Sequence, residues 1–423
     1  MGCIPSGWAR PRGARRSQVP NRPRARPGSG KLPAVSDLQL VQEQAELDEV
    51  VRALRDVPLY GLDTEFQGER TYHPRLALVQ IAWPGGVAIL DPMAVDVAAL
   101  APVFAGPGVL IAHAGDQDLT ILERACGVRP AHLFDTQIAA GFLGYGTPSL
   151  ATLCERILGI RLGKGDRLTD WTRRPLTADQ RSYAAADVEH LAAIYDALVE
   201  RLTEEGRLEW ALDECEERRV RARGRPDPET AWWRIKGSRQ LRGKSRGVAQ
   251  EVGAWREREA ERADLPPRFV LPDLALASIV QRAPRTREEL SAVRGLDGRH
   301  VRDATANALL AAVELGLALT PDQLRLPETD ASDRTLAPAV TVIGAWLSQR
   351  AAELDLEPSL LATRADLSAL ISSGEGRLAT GWRLATVGEP IRRLLSGEAA
   401  IALEQGGRSI ALAEMPRPAP ETP

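Results

Sequence analysis

Between residue 37 and about residue 206, short β-type runs of apolar residues alternate with stretches at helical spacing. Beyond that point the helical spacing prevails. Val41 to Leu54 sets apolar residues three and four apart, on one face of a helix. Leu59-Tyr60-Gly61-Leu62-Asp63-Thr64-Glu65-Phe66 predicts a strand with polar residues at its end. Leu76 to Ala82, Val87 to Leu90 and Val109 to Ala112 predict further short strands, the first two separated by the turn signal Pro84-Gly85-Gly86. Helical patterns follow at about 117–126, 136–143, 149–158 and 177–205. Strands in quick succession, then strands alternating with helices, predict an α/β mixed sheet flanked by helices. Residues 210–315 and 339–415 read mostly as helices, joined by a proline- and acid-containing linker at 319–338.

The chain has 423 residues, enough for two to four domains at about 100–200 residues each. Its 44% hydrophobic and 26% charged content suits a globular protein with a sizeable core. No run of 18 or more apolar residues appears, so no membrane span is expected. Cys3, Cys126, Cys154 and Cys215 lie far apart with no CxxC pair. That pattern points to a reducing, cytoplasmic setting and away from a disulfide framework or a zinc site.

The net charge of −3 hides an uneven distribution. Residues 1–36 carry eight basic residues and no acid, and residues 221–246 carry nine basic residues and two acids, so the rest of the chain is acidic. Such a chain suits an enzyme that holds cations and grips a polyanion; it also suits an acidic protein with a solvated arm. The first 35 residues, rich in Pro, Gly and Arg, read as a disordered basic tail. A solvated tail, an arm for RNA and a targeting segment compete there. The last reading rests on the myristoylation pattern at Met1-Gly2-Cys3-Ile4-Pro5-Ser6 and on the Arg-rich, acid-free composition.

Asp63 and Glu65 stand two apart on a predicted strand, so both carboxylates point the same way. A hard divalent cation such as Mg²⁺ or Mn²⁺ relieves their repulsion; a solvated pair at a strand end is the plainer reading. Tyr183 and Asp187 stand four apart across three alanines and share a helical face. Asp118 falls near the start of a predicted helix, where an acid can cap; Asp116 is the better cap, which frees Asp118 for another role.

Taken together with their flanking segments, these residues resemble the tyrosine-bearing branch of the DEDD exonuclease superfamily, and within it the ribonuclease D family. The likeness covers about residues 36–210, within an exonuclease domain placed at 36–215. It includes Leu62-Asp63-Thr64-Glu65-Phe66, the His113-Ala114-Gly115 segment ending at Asp118, and Asp135-Thr136-Gln137-Ile138-Ala139-Ala140. It continues in Asp170-Trp171, in Arg174-Pro175-Leu176 and in Tyr183 to Val188. The resemblance implies a ribonuclease H-like exonuclease domain in which Asp63, Glu65, Asp118 and Asp187 hold two divalent ions. By the same analogy Asp63 bridges the ions and Tyr183 orients the attacking water. A free tyrosine titrates near ~10, so orientation is the safer role than deprotonation. Substrate-contact candidates are Thr64, Phe66, Gln80, His113, Lys164, Trp171 and Arg174. For several of these a structural role competes: packing for Trp171 and Gln80, a strand-end contact for His113.

Residues 230–318 resemble the helical HRDC domain, and 339–415 read as a second, divergent copy of it. Residues 304–423 hold 10 basic and 15 acidic residues, which argues for scaffolding there rather than RNA binding. The family implies a monomer whose domains surround a central opening. The expected activity is 3′→5′ exoribonuclease action on single-stranded 3′ ends, tRNA precursors above all. A DNA 3′→5′ exonuclease and a non-catalytic RNA-binding protein are the competing readings.

Overall fold

The computed structural model of the chain describes residues 38–163, 169–221, 227–326 and 334–415. The basic tail, Lys164 and part of the 319–338 linker lie outside the described residues. The strands β1 (Leu38–Val41), β2 (Leu59–Gln67), β3 (Arg75–Trp83), β4 (Gly86–Leu90), β5 (Val109–Ala112) and β6 (His132–Asp135) form one sheet in the order β1-β4-β3-β2-β5-β6. β2 pairs antiparallel with β3 and parallel with β5, so it lies at the centre of a mixed sheet. The register slips by a bulge between Glu65 and Phe66, and such a bulge bends a strand and re-aims its side chains.

The two faces of β2 serve different ends. Tyr60 and Leu62 enter a core with Leu47, Val51 and Leu54 from α1 (Gln44–Leu54) and with Leu119 and Leu122 from α2 (Asp116–Cys126). Gly61 turns to the other face, where α4 (Ala178–Glu189) and α5 (Leu191–Glu204) lie across the sheet. A Cβ at Gly61 would stand 3.1 Å from Leu191 Cβ and 3.2 Å from the Val188 carbonyl, so the absence of a side chain lets the helices come this close. Thr177 starts α4 through a capping box with Gln180. The short α3 (Thr136–Gly141) follows β6, and α6 (Leu208–Val220) closes the exonuclease region.

Two helical regions follow. The first contains α7 (Lys244–Ala263), α8 (Asp273–Arg282) and α9 (Asp303–Ala318). Its core, including Trp232, Val248, Leu276, Ile279, Leu309 and Val313, is separate from those of the sheet. α7 meets the β2–β3 turn through polar groups: Tyr72 Oη donates to Glu257 at 2.7 Å, and the Tyr72 and His73 amides donate to Asp264 at 3.1 and 3.2 Å.

The second region is built differently. α10 (Ala337–Glu353), α11 (Arg364–Ser373) and α12 (Glu389–Leu395) share one continuous core with α3, α5 and α6. Trp382 stacks on Trp210 of α6 with centroids 4.9 Å apart, and Phe142 meets Trp382 edge-on at 5.3 Å. Glu214 of α6 accepts from Arg383 and from Arg377, the latter at 2.9 Å. The region ends in a hairpin of β7 (Ala399–Glu404) and β8 (Ser409–Glu414), which the helical reading of 339–415 does not anticipate. Alanine favours helices, and Ala399 to Leu403 and Ala411 to Ala413 carry several. Gly406 and Gly407, with φ of +69° and +87°, make the turn.

Among the described residues no helix is long and apolar enough to cross a membrane. Cys126, Cys154 and Cys215 are buried and free.

Candidate active site

β2 and α4 bring Asp63, Glu65 and Asp187 together, with one carboxylate oxygen of each within 4.8 Å of the others. The pairing follows from periodicity: residues two apart share a face of the strand, while residues four apart share a face of the helix. Asp118 joins from the first turn of α2. Its carboxylate accepts a hydrogen bond from the Thr64 hydroxyl, which points to the opposite face of β2 from Asp63.

The four half-buried acids repel one another. Burial, then Asp118, Asp187 and Glu65, hold Asp63 well above the usual carboxylate range. Burial, then Asp187 and Asp118, push Glu65 up to about 7. Burial raises Asp118 as well, against the Thr64 hydrogen bond. Such a donor set, all carboxylate oxygen and short of positive charge, fits hard divalent cations: Mg²⁺ or Mn²⁺ rather than zinc.

A stability prediction follows. Glu65 titrates near ~4.3 when unfolded and near 7 when folded. Over that window the native state holds the extra proton, so metal-free stability falls as pH rises through it and levels off above. The loss is on the order of 2 kcal/mol, after allowing for partial exposure of the group. Thermal melts in chelator should therefore show a lower Tm at about pH 8 than at about pH 5, with Mn²⁺ restoring the difference. A Tm that does not fall over that range would contradict the electrostatic picture.

Tyr183 stands one helical turn before Asp187. Trp171, 6% exposed, lies against it with ring centroids 5.9 Å apart. Ala184 and Ala185 are buried against the sheet. Gln180, Tyr183 and Ala186 of α4 line a cleft of about 920 Å³ together with Asp170 and Arg173.

The sequence decides the family. The chain is 36% identical over 377 residues to ribonuclease D of Gluconacetobacter diazotrophicus, a match covering 88% of this chain and 93% of that protein. It belongs to the ribonuclease D family. Ribonuclease D of Nitrobacter hamburgensis is 35% identical, covering 87% of this chain and 98% of the relative. A 3′-5′ exonuclease family model matches residues 38–203 and an HRDC domain model matches 245–313. Among solved structures, Escherichia coli RNase D, described as an exoribonuclease involved in structured RNA processing, superposes with a TM-score of 0.76 at 31% identity. That match covers 85% of this chain and 99% of that one. The catalytic core of RRP6 from Trypanosoma brucei gives 0.55 at 25% identity, over 69% and 84% of the two chains.

Against the ribonuclease D pattern, Asp63, Glu65 and Asp187 converge, Asp118 stands near enough to raise the pKa of Asp63 and Glu65, and Tyr183 sits on the same helix as Asp187. The substrate-contact candidates fare differently. Arg174 has no donor left for a phosphate. Nε and one Nη2 hydrogen go to Asp91, at 2.6 and 2.7 Å, and the rest go to the carbonyls of Ala77, Trp171 and Arg173. Trp171 is mostly buried against Tyr183 and borders the cleft beside it. Gln80 lies directly opposite Asp63 in the β2–β3 ladder and is 0% exposed, so it cannot reach a nucleotide. Thr64 is 5% exposed and committed to Asp118. His113 Nδ1 lies 2.9 Å from Thr136 Oγ1, and burial lowers its pKa, keeping the ring neutral. Phe66 is half-buried just past the bulge. Asp116 does not cap α2; Gly115 occupies that place, and Asp116 pairs with Arg218 at 2.5 Å.

Asp135, which lies in a family-like segment, has no role in the sequence reading. Its carboxylate accepts from the amides of Ala114, Gln137 and Ile138 through Oδ1, and of Gly115 through Oδ2 at 2.9 Å. Beside that likeness, the local signal is an Asp at a strand-to-helix junction, an ordinary cap position.

Proposed function

We propose that this chain hydrolyses RNA from its 3′ end, one nucleotide at a time, releasing nucleoside 5′-monophosphates. Its substrates on this reading are structured RNAs with a single-stranded 3′ end, tRNA precursors above all. The convergence of Asp63, Glu65 and Asp187 within 4.8 Å carries the reading.

Asp63, Glu65, Asp118 and Asp187 would hold two divalent ions. When bound, such a pair activates water and stabilises charge on the phosphoryl and leaving oxygens. The chain's own residues do the positioning. Asp63 and Glu65 are fixed by the sheet, and Thr64 ties Asp118 to the same strand. Trp171 limits the swing of the Tyr183 ring, whose hydroxyl orients the attacking water. The cleft beside Tyr183 and Ala186 takes the 3′-terminal nucleotide.

RNA rather than DNA is favoured by the HRDC module and by the segment leading into it. Between Glu229 and Glu251 the chain carries no acid but has Arg234, Lys236, Arg239, Arg242, Lys244 and Arg246. Lys236, Arg239 and Lys244 are exposed. Contacts of this kind give affinity that falls steeply with salt. All four acids and Tyr183 come from one chain, consistent with a monomer; buried, widely spaced thiols are consistent with the cytoplasm.

The test uses a 3′-tailed tRNA precursor and a matching DNA oligomer, with Mg²⁺ or Mn²⁺ and with chelator. One-nucleotide shortening of the RNA that chelator stops is the expected result. Preferential attack on the DNA would overturn the substrate, and binding without shortening would overturn the enzyme.

A further inference from the structure

α6 carries two sets of contacts on neighbouring turns. Glu214 reaches into the last helical region, accepting from Arg377 and from Arg383, which is 5% exposed. Cys215 and Arg218 reach the other way. Cys215 Sγ accepts the Asp135 amide at 3.2 Å, and Arg218 Nη1 donates to Asp116 Oδ2 at 2.5 Å. Asp116 is the first residue of α2, two positions before Asp118.

Asp135 holds the chain immediately upstream. Its carboxylate takes the amides of Ala114 and Gly115, the last two residues before α2, while also capping α3. Ala114 sits at φ +57°, a left-handed conformation that a non-glycine residue adopts only when its surroundings impose it. A Cβ at Gly115 would stand 2.8 Å from Ala112 Cβ, so only glycine fits at this corner. The direction in which α2 leaves β5, and with it the place of Asp118, is therefore set by Asp135 from below and Arg218 from the side.

We infer that Asp135, Cys215 and Arg218 form a bracket that places Asp118 in the acidic site, and that the last helical region acts on catalysis by holding α6. Arg218 is then a positioning residue, remote from substrate. The inference gives that acidic region a task its charge denies it as an RNA-binding surface, and it rests on the metal-dependent reading above.

The test is made on the full chain with Mn²⁺ as probe. Arg218→Met keeps the aliphatic stem and removes the charge. Partners that orient a ligand typically contribute about 10–100-fold in metal affinity or activity. Calorimetry should show Mn²⁺ binding weakened about tenfold in this variant, with kcat down by a similar factor and KM for RNA unchanged. Added Mn²⁺ should recover the rate, and Arg218→Lys should stay within about threefold of wild type. Arg377→Met, which releases Glu214 and Glu217 of α6, should weaken Mn²⁺ binding about threefold, a smaller effect than Arg218→Met. Wild-type Mn²⁺ affinity in Arg218→Met, even with a lowered Tm, overturns the bracket. Wild-type affinity in Arg377→Met alone overturns the part given to the last region. A wild-type chain that binds no Mn²⁺ removes the metal reading itself, a failure distinct from both.

Discussion

Asp63→Asn is expected to reduce RNA degradation by on the order of 10³-fold or more, while raising the Tm of the metal-free protein. Both effects have one source. Asp63 is flanked by Glu65, Asp118 and Asp187, and burial together with those three charges opposes its ionisation. Removing its charge deprives the site of its most shielded cation ligand. It also relieves the repulsion that the empty cluster imposes on the fold. The gain in Tm should be about 2–4 °C for each kcal/mol relieved, the scale of a domain of roughly 150–250 residues such as the exonuclease region. It should be largest at alkaline pH and shrink as Mn²⁺ is added to wild type. Assaying single-nucleotide release and melting the same two samples checks both halves. An inactive variant with a lowered metal-free Tm would mean that Asp63 was stabilising the sheet, and the account of a strained, cation-requiring cluster would fail.

Glu214→Ala is expected to cost about 3–5 kcal/mol of stability, because it leaves Arg383 buried without its closest countercharge. Arg383 is enclosed by the Trp382 ring, 4.2 Å from its guanidinium, and by the carbonyls of Leu360 and Leu361. Glu217 is 3.8 Å away from it and cannot replace a direct hydrogen bond. Because Trp210 and Trp382 stack across the same junction, tryptophan emission should shift to the red as the last helical region loosens. Denaturant titration followed by fluorescence reads both quantities. A cost under about 1 kcal/mol would place Arg383 in contact with water and make the ion pair incidental.

That Asp63 and Glu65 share one face, and Tyr183 and Asp187 another, is legible in the sequence because the geometry is local, whereas reading the acids as metal ligands needs the family resemblance. A two-residue step on a strand and a four-residue step on a helix each fix a shared face without knowledge of the fold. Asp118 needed the family resemblance, since nothing near it in sequence separates a ligand from a cap. Arg174 misled for the opposite reason. Its main partner, Asp91, lies 83 residues away, so an arginine that looks free along the chain is spent in space. Gln80 and Trp171 were similarly placed by the sheet and by Tyr183 rather than by their neighbours in sequence. β1 has no counterpart in the sequence reading, whose helical pattern begins at its last residue, Val41, because a four-residue strand leaves too few positions to show alternation. The terminal hairpin was hidden by alanines that suit either structure.

The partition of apolar cores bears on how such a chain can change. The HRDC region keeps its apolar residues to itself and meets the catalytic hairpin through Tyr72, His73, Glu257 and Asp264. A cassette joined in that way can be lost, duplicated or exchanged at the expense of a few polar contacts. The last helical region has no such freedom. Its tryptophan, its leucines and its buried arginine are interleaved with α3, α5 and α6, so any chain that sheds it must rewrite the back of its nuclease in the same step.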